Sequence, residues 1–203
     1  MYPLKADTGK KWSLLGFAIF SAFSLLWETV ALLVWRAGKM PFWFPLFGAP
    51  FVLIGLLLLG FSLAPLMARA KVAAPQALIS QHPLRVGEKF TFTFRLRLKQ
   101  PTEVQRVRLQ WVFRETAIYQ RGTETYTETY ERLVEGEEYP ASSVRLGDTL
   151  HLERSFQVPV DGMHTFIAPH NKLQWFLKVQ AEISRWPDFK EEYEVTVLPE
   201  MVG

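Results

Sequence analysis

The sequence predicts a membrane-anchored all-β protein, a two-helix transmembrane hairpin followed by an antiparallel β-sandwich of seven or more strands. Three observations carry that reading. From Trp12 to Met67 the only charged residues are Glu28, Arg36 and Lys39. After about residue 76, apolar and polar residues alternate with a period of two. That second part contains no amphipathic helical pattern. The expected division is a tail over 1–11, a hairpin over 12–67, a linker over 68–75 and a sandwich over 76–203.

The first apolar run, WSLLGFAIFSAFSLLWETVALLVW, extends from Trp12 to Trp35. At about 1.5 Å per helical residue it crosses a hydrocarbon core of about 30 Å. Tryptophans at both ends suit the headgroup layer. The run is too long for the apolar region of a cleaved leader, and no small-residue cleavage site follows it before the second apolar run. That run, Pro41 to Met67, holds Pro41, Pro45 and Pro50 in its first third. Prolines obstruct a regular helix, so the second span is expected over about 50–67, with Phe42, Trp43 and Phe44 as an interfacial belt.

Two spans place both termini on one side. Lys5, Lys10, Lys11, Arg69 and Lys71 flank the runs there, against Arg36 and Lys39 in the opposite loop. The positive-inside rule therefore puts the termini and the sandwich in the cytoplasm. Glu28 is the ionisable residue within the spans. It shares a helical face with Ser21 and Ser24. The readings for it are a hydrogen-bonded or uncharged carboxyl facing the second helix, contact with a partner subunit, or an ion pathway.

The strands follow in order. In EKFTFTFRLRLK, Phe90, Phe92, Phe94, Leu96 and Leu98 point one way, and Thr91, Thr93, Arg95, Arg97 and Lys99 the other. That is a half-buried strand with one wet face. VRLQWVF, GDTLHLERSFQV, LQWFLKVQAEI and EYEVTVL repeat the pattern, and a first strand is expected near Leu78. Turns are expected at Val86-Gly87-Glu88, Lys99-Gln100-Pro101, Leu146-Gly147-Asp148, Asp161-Gly162 and Trp186-Pro187-Asp188. The expected core centres on Trp111, Trp175, Phe92, Phe94 and Val195.

TETYTETY, Thr123 to Tyr130, has no aliphatic face. Its threonines share one side; Glu124, Tyr126, Glu128 and Tyr130 share the other. One reading is an edge strand or mobile hairpin whose charges block unwanted pairing. The other is a docking edge for a protein partner, because tyrosines suit such contacts.

The segment FQVPVDGMHTFIAPHNKLQWFLKVQAEI, with RETAIYQRGTETYTETYE before it, resembles arrestin-like sandwiches and the bacterial membrane proteins that carry one such domain. The likeness covers about residues 76–199. It implies a protein-binding scaffold in a bacterial inner membrane rather than an enzyme. The chain has room for one domain where the eukaryotic family has two, so receptor-type function does not carry over.

Composition narrows the chemistry. With no cysteine, disulfides, thiol nucleophiles and zinc–thiolate sites are excluded. From Ala68 onward 18 basic residues balance 18 acidic ones, so no nucleic-acid partner is expected. His164, His170 and Asp161 flank a crossover, and Glu135, Glu137 and Glu138 form an acidic cluster, but neither has metal-ligand spacing. No phosphate loop or nucleophile elbow is present, and no cofactor is expected. Two functions remain. The chain is a membrane-anchored interaction module, such as an accessory or assembly subunit with the lipid bilayer and a protein as partners. Alternatively it is a membrane enzyme or transport component whose site the sequence does not display.

Overall fold

Alternation along the sequence becomes two sheets in the computed structural model, which describes residues 1–7, 11–70, 72–99, 103–140 and 149–200, apart from the side chains of 11–14 and 65. The elements are β1 (Tyr2–Pro3), α1 (Lys11–Arg36), α2 (Trp43–Ala70), β2 (Gln76–Ile79), β3 (Leu84–Arg85), β4 (Lys89–Arg97), β5 (Val104–Arg121), β6 (Glu124–Pro140), β7 (Thr149–Gln157), β8 (Phe166–Ile167), β9 (Asn171–Ile183), β10 (Phe189–Val195) and β11 (Val197–Leu198). The expected turns at 99–101 and 146–148, with Lys10 and Lys71, fall on or run into residues outside the described set.

The chain forms two units, one of residues 1–7 and 68–203 and one of 8–67. In the first, one sheet has the order β1-β2-β4-β7 and the other β10-β9-β5-β6, with β8 beside β9. All these pairings are antiparallel; β11 and β3 add a parallel pair. The core lies between the sheets. Trp111, Trp175, Phe92, Phe94 and Val195 are each fully buried. The indoles of Trp111 and Trp175 stack with centroids 4.9 Å apart, and Phe90 meets Trp111 edge-on at 5.1 Å. Trp175 Nε1 donates to the Met163 carbonyl at 2.8 Å. Gly162 leaves room for that indole, since a Cβ there would lie 2.9 Å from the Pro159 oxygen and 3.3 Å from Trp175 Cζ2.

Two details depart from the expected division. Of the expected tail, the segment 1–7 belongs to the sandwich: Tyr2 and Pro3 pair with Ile79 and Leu78, Ala6 bridges Tyr193, and the Asp7 amide donates to the Glu192 carbonyl at 2.7 Å. It therefore runs from the edge of one sheet to the edge of the other, and Leu4 and Ala6 pack on the core. Nor is 68–75 a free linker. Ala68 to Ala70 complete α2, Val72 bridges Leu98, and the Ala73 amide donates to the Arg97 carbonyl. Arg69 meets Glu191 at 3.3 Å, and the Tyr193 hydroxyl donates to the other Glu191 oxygen at 2.6 Å. Burial and that hydrogen bond push the Tyr193 hydroxyl's pKa upward.

The second unit is an antiparallel helix pair. Ser21 donates to the Gly55 carbonyl at 2.6 Å, and a Cβ on Gly55 would lie 3.2 Å from Ser24 Cβ. Glu28 stands against Gly48, where a Cβ would collide with its carboxylate. Pro45, Gly48, Gly55 and Ser62 form the buried stripe of α2, and Ser21, Ser24 and Ala31 that of α1. Small residues let the backbones approach. Gly38 ends α1 at φ +71°, with Lys39 and Gly38 amides reaching back to the Val34 and Trp35 carbonyls. That is a Schellman cap, which needs glycine at its left-handed position.

The second helix is longer than expected, Trp43–Ala70 rather than about 50–67. Pro45 falls in the first turn, where amides have no intrahelical acceptor. Pro50 lies in the interior and leaves the Leu46 carbonyl without its usual donor, yet the helix continues. Both helices are long and apolar enough to cross a membrane, at mean hydropathies of 2.0 and 2.4. Their outward side chains, among them Phe23, Leu26, Leu33, Phe47, Leu53 and Leu66, are exposed.

Replacing Trp175 by Ala is expected to cost about 3–5 kcal/mol, because it empties a filled core site. Chemical denaturation of the detergent-solubilised chain, followed by fluorescence, measures it. Gly55→Val is expected to separate the helices and lower their melting temperature by several degrees while the sandwich signal is unchanged; far- and near-ultraviolet circular dichroism distinguish the two.

Candidate interaction surface

The longest hairpin of the sandwich joins β5 to β6 through Gly122 and Thr123. Gly122 has φ +67°, and a II′ turn requires glycine at that first central position. The β5–β9 pairing ends at Ala117 and Asn171, so residues from Ile118 to Thr127 continue as a two-stranded arm. Among the described residues β6 pairs with β5 alone, so its other edge is open.

A bulge divides that edge. Trp111 pairs with Glu135, but Val112 pairs with Leu133, which leaves Val134 unpaired and packed on the core. Below the bulge Glu135, Glu137 and Tyr139 face inward; above it Arg132, Tyr130, Glu128, Tyr126 and Glu124 do. The lower half is tied to the opposite sheet, because inward-pointing Arg154 of β7 reaches Glu135 at 3.3 Å and Glu137 at 2.8 Å. The upper half has no such cover. Every residue from Glu124 to Leu133 is exposed, Tyr130 at 64 %.

The four sandwich residues singled out in the sequence thus share one face. The structure adds Tyr119, which sequence reading missed. Tyr119 and Tyr126 are directly paired across the arm and stack with centroids 5.8 Å apart. The Tyr119 hydroxyl donates to Glu128 at 2.6 Å, and Tyr126 to Glu124 at 2.7 Å. Each hydrogen bond to a carboxylate holds its phenol above the usual pKa. The signal was present, because a two-residue turn at Gly122-Thr123 dictates the Tyr119–Tyr126 pair. Phe166 and Ile167 of β8 are exposed as well, and Phe166 lies in register with Leu173, Glu115 and Tyr130 across the sheet. Glu28 belongs to the helical unit and not to this surface.

The outer face of the same sheet carries paired charge. Arg114 and Lys178 meet Glu131 and Glu192 at 2.6 to 3.4 Å, and Arg106 and Arg108 meet Glu138 and Glu182 at 2.6 to 3.8 Å. Arg114 also covers the ring of buried Phe176 at 4.0 Å. The acidic cluster of the sequence is a strand rather than a loop. Glu135 and Glu137 face one way and Glu138 the other, so the three do not converge. His164 and His170 are both exposed. Among the described residues no group of three His, Asp or Glu could hold a metal ion.

No protein-family model matches the chain, and no curated protein matches it. Among solved structures it is similar to Spo0M, a sporulation control protein from Bacillus subtilis, at 11 % identity and a TM-score of 0.46. That similarity covers 63 % of this chain and 48 % of the other.

Partial burial pushes the Glu131 carboxyl up, but hydrogen bonds from Lys178 and Arg114 outweigh it and hold its pKa below the usual range. A carboxyl depressed in the folded state stabilises above its unfolded value and loses that contribution as pH falls through its folded one. Melting temperature is therefore expected to drop as pH is lowered from about 5 to about 3, and the drop is expected to be smaller in Glu131→Gln. A thermal-melt series across that range checks both.

Proposed function

We propose that the chain is a membrane-anchored protein-interaction module of arrestin-like architecture, which holds a docking strand at a bilayer surface. The observation that supports docking is the divided β6 edge: its lower half is tied by Arg154, while its upper half is open and exposed beside Tyr126 and Tyr130. Open strand edges pair with added strands unless they are blocked. Here the side chains that flank the open groups include Tyr126 and Tyr130 and three threonines among Glu124, Glu128, Glu131 and Arg132, and tyrosine supplies contact area at low entropy cost.

The anchor reading has its own support. Residues 1–7 and 68–200 belong to one folded unit, so the chain leaves that unit and returns to it. Whatever lies between must cross a bilayer an even number of times, and two helices of sufficient length and apolarity lie between. The exposed apolar side chains of those helices are unfavourable in water and suited to lipid. The excess of lysine and arginine beside the sandwich end then assigns the sandwich to the cytoplasmic side, that of an inner membrane if the source is bacterial. Glu28, against Gly48, serves the contact between the two helices.

Scaffold rather than catalyst is the role assigned, as an accessory or assembly subunit of a membrane complex. Replacing both Tyr126 and Tyr130 by Ser is expected to abolish co-purification of the partner in mild detergent. The melting temperature is expected to move by no more than a few degrees, since the one aromatic pair removed is worth about 1 kcal/mol. A partner retained by the double variant would remove the β6 edge from the reading.

A further inference from the structure

The outer faces of the two sheets differ in charge. On the β10-β9-β5-β6 sheet the arginines and lysines are interleaved with glutamates that pair with them. On the β1-β2-β4-β7 sheet, Lys89, Arg95, Arg97 and Lys99 all project outward from β4 and its extension, and all four are exposed. The acid facing them across the described part of that surface is Glu153, which lies 3.9 Å from His151. Arg95 Nε donates to His151 Nδ1 at 3.2 Å. Among the described residues neither Arg97 nor Lys99 makes an ion pair.

Three of these cations lie at alternate positions, so Arg95 to Lys99 spans about 13 Å on one face. That stretch is also where the apolar helix joins the sandwich. Lys71 alone separates the end of α2 at Ala70 from Val72, which bridges Leu98, and the Ala73 amide donates to the Arg97 carbonyl at 2.8 Å. A helix that ends in the headgroup layer therefore brings Arg97 and Lys99 to within a few residues of it.

We infer that Arg95, Arg97 and Lys99 form a binding patch for anionic phospholipid headgroups, which seats this sheet face against the bilayer. The inference rests on the reading of the helices as a membrane anchor. Charge complementarity selects the occupant, because unpaired cations beside a membrane entry point meet the negative surface of the cytoplasmic leaflet. Each such residue strengthens attachment about five-fold, and the effect decays over a Debye length of about 10 Å.

The chain contains no cysteine, so Thr149→Cys introduces a single labelling site, paired with Arg97 on the neighbouring strand. The full-length protein carrying a fluorescent donor there is reconstituted into phosphatidylcholine vesicles with and without about 30 % phosphatidylglycerol, together with a headgroup-linked acceptor. Energy transfer is expected to rise about two-fold in the anionic vesicles and to fall back at about 0.5 M salt. Combining Arg95→Ala, Arg97→Ala and Lys99→Ala is expected to abolish the rise, and Arg95→Lys with Arg97→Lys to preserve it. Flotation after an alkaline wash reports helix insertion separately. Protein that floats but transfers equally in both lipids, or equally with and without the three cations, overturns the patch and leaves the anchor standing. Protein that washes off the vesicles overturns both.

Discussion

The register of β5 against β9 is the constraint on which the remaining features of the sandwich depend. Phe113 lies opposite Trp175, and Trp111 lies opposite Leu177. The two indoles stack on the diagonal with Phe113 against the second. A slip of β9 by one residue would turn Trp175 to the outer face, away from Trp111, and bring Lys178 into the core. With the register set, the outer face becomes the ladder of paired arginines and glutamates, and the β5–β6 arm presents its tyrosines beyond the end of β9 pairing. The aromatic contacts thus decide where the charges and the exposed phenols are displayed.

A two-sheet sandwich has open sides, and this one closes them by different means. On one side the first seven residues run from β2 to β10, with backbone hydrogen bonds to both sheets. On the other side a single guanidinium, Arg154, meets two carboxylates of β6. The first closure uses a segment that the chain makes before the helices. It therefore joins residues 1–7 to strands β2 and β10, both of which follow the helices in the chain. The second closure ends at the bulge, and the bulge is where the exposed half of β6 begins.

The helical unit follows a different logic. In the sandwich, burial of large side chains drives association. Between the helices Ser21, Ser24 and Glu28 of α1 meet Gly55 and Gly48 of α2, Trp27 and Phe44 add a ring contact at 6.3 Å, and most of the other large side chains point away. That inversion suits an apolar solvent, in which close backbone approach and a serine hydrogen bond hold helices together and leucines are solvated by lipid.

Much of this was legible in the residues. Alternation at period two located the main strands and assigned Trp111, Trp175, Phe92, Phe94 and Val195 to the core, because the pleat forces successive side chains to opposite faces. The lengths of two apolar runs marked two helices, and TETYTETY marked a strand with nothing to bury. Local pattern could not report the bulge at Val134, which reverses the facing of β6 and separates Glu135 and Glu137 from Glu138. It could not report that Phe176 and Val112, out of phase with their neighbours, are buried on the outer face, Phe176 beneath Arg114. Nor could it show residues 1–7 crossing between sheets, or helix α2 persisting through Pro45 and Pro50. The bulge, the outer-face burial and the crossing of residues 1–7 depend on which segments the fold makes adjacent, and such contacts leave no periodicity in the chain. Sequence alone therefore determined which residues must be buried or solvated, through their transfer energies and local geometry. Tertiary structure decided which strand edges remained open and which cations remained unpaired, because both depend on the neighbours that the fold supplies.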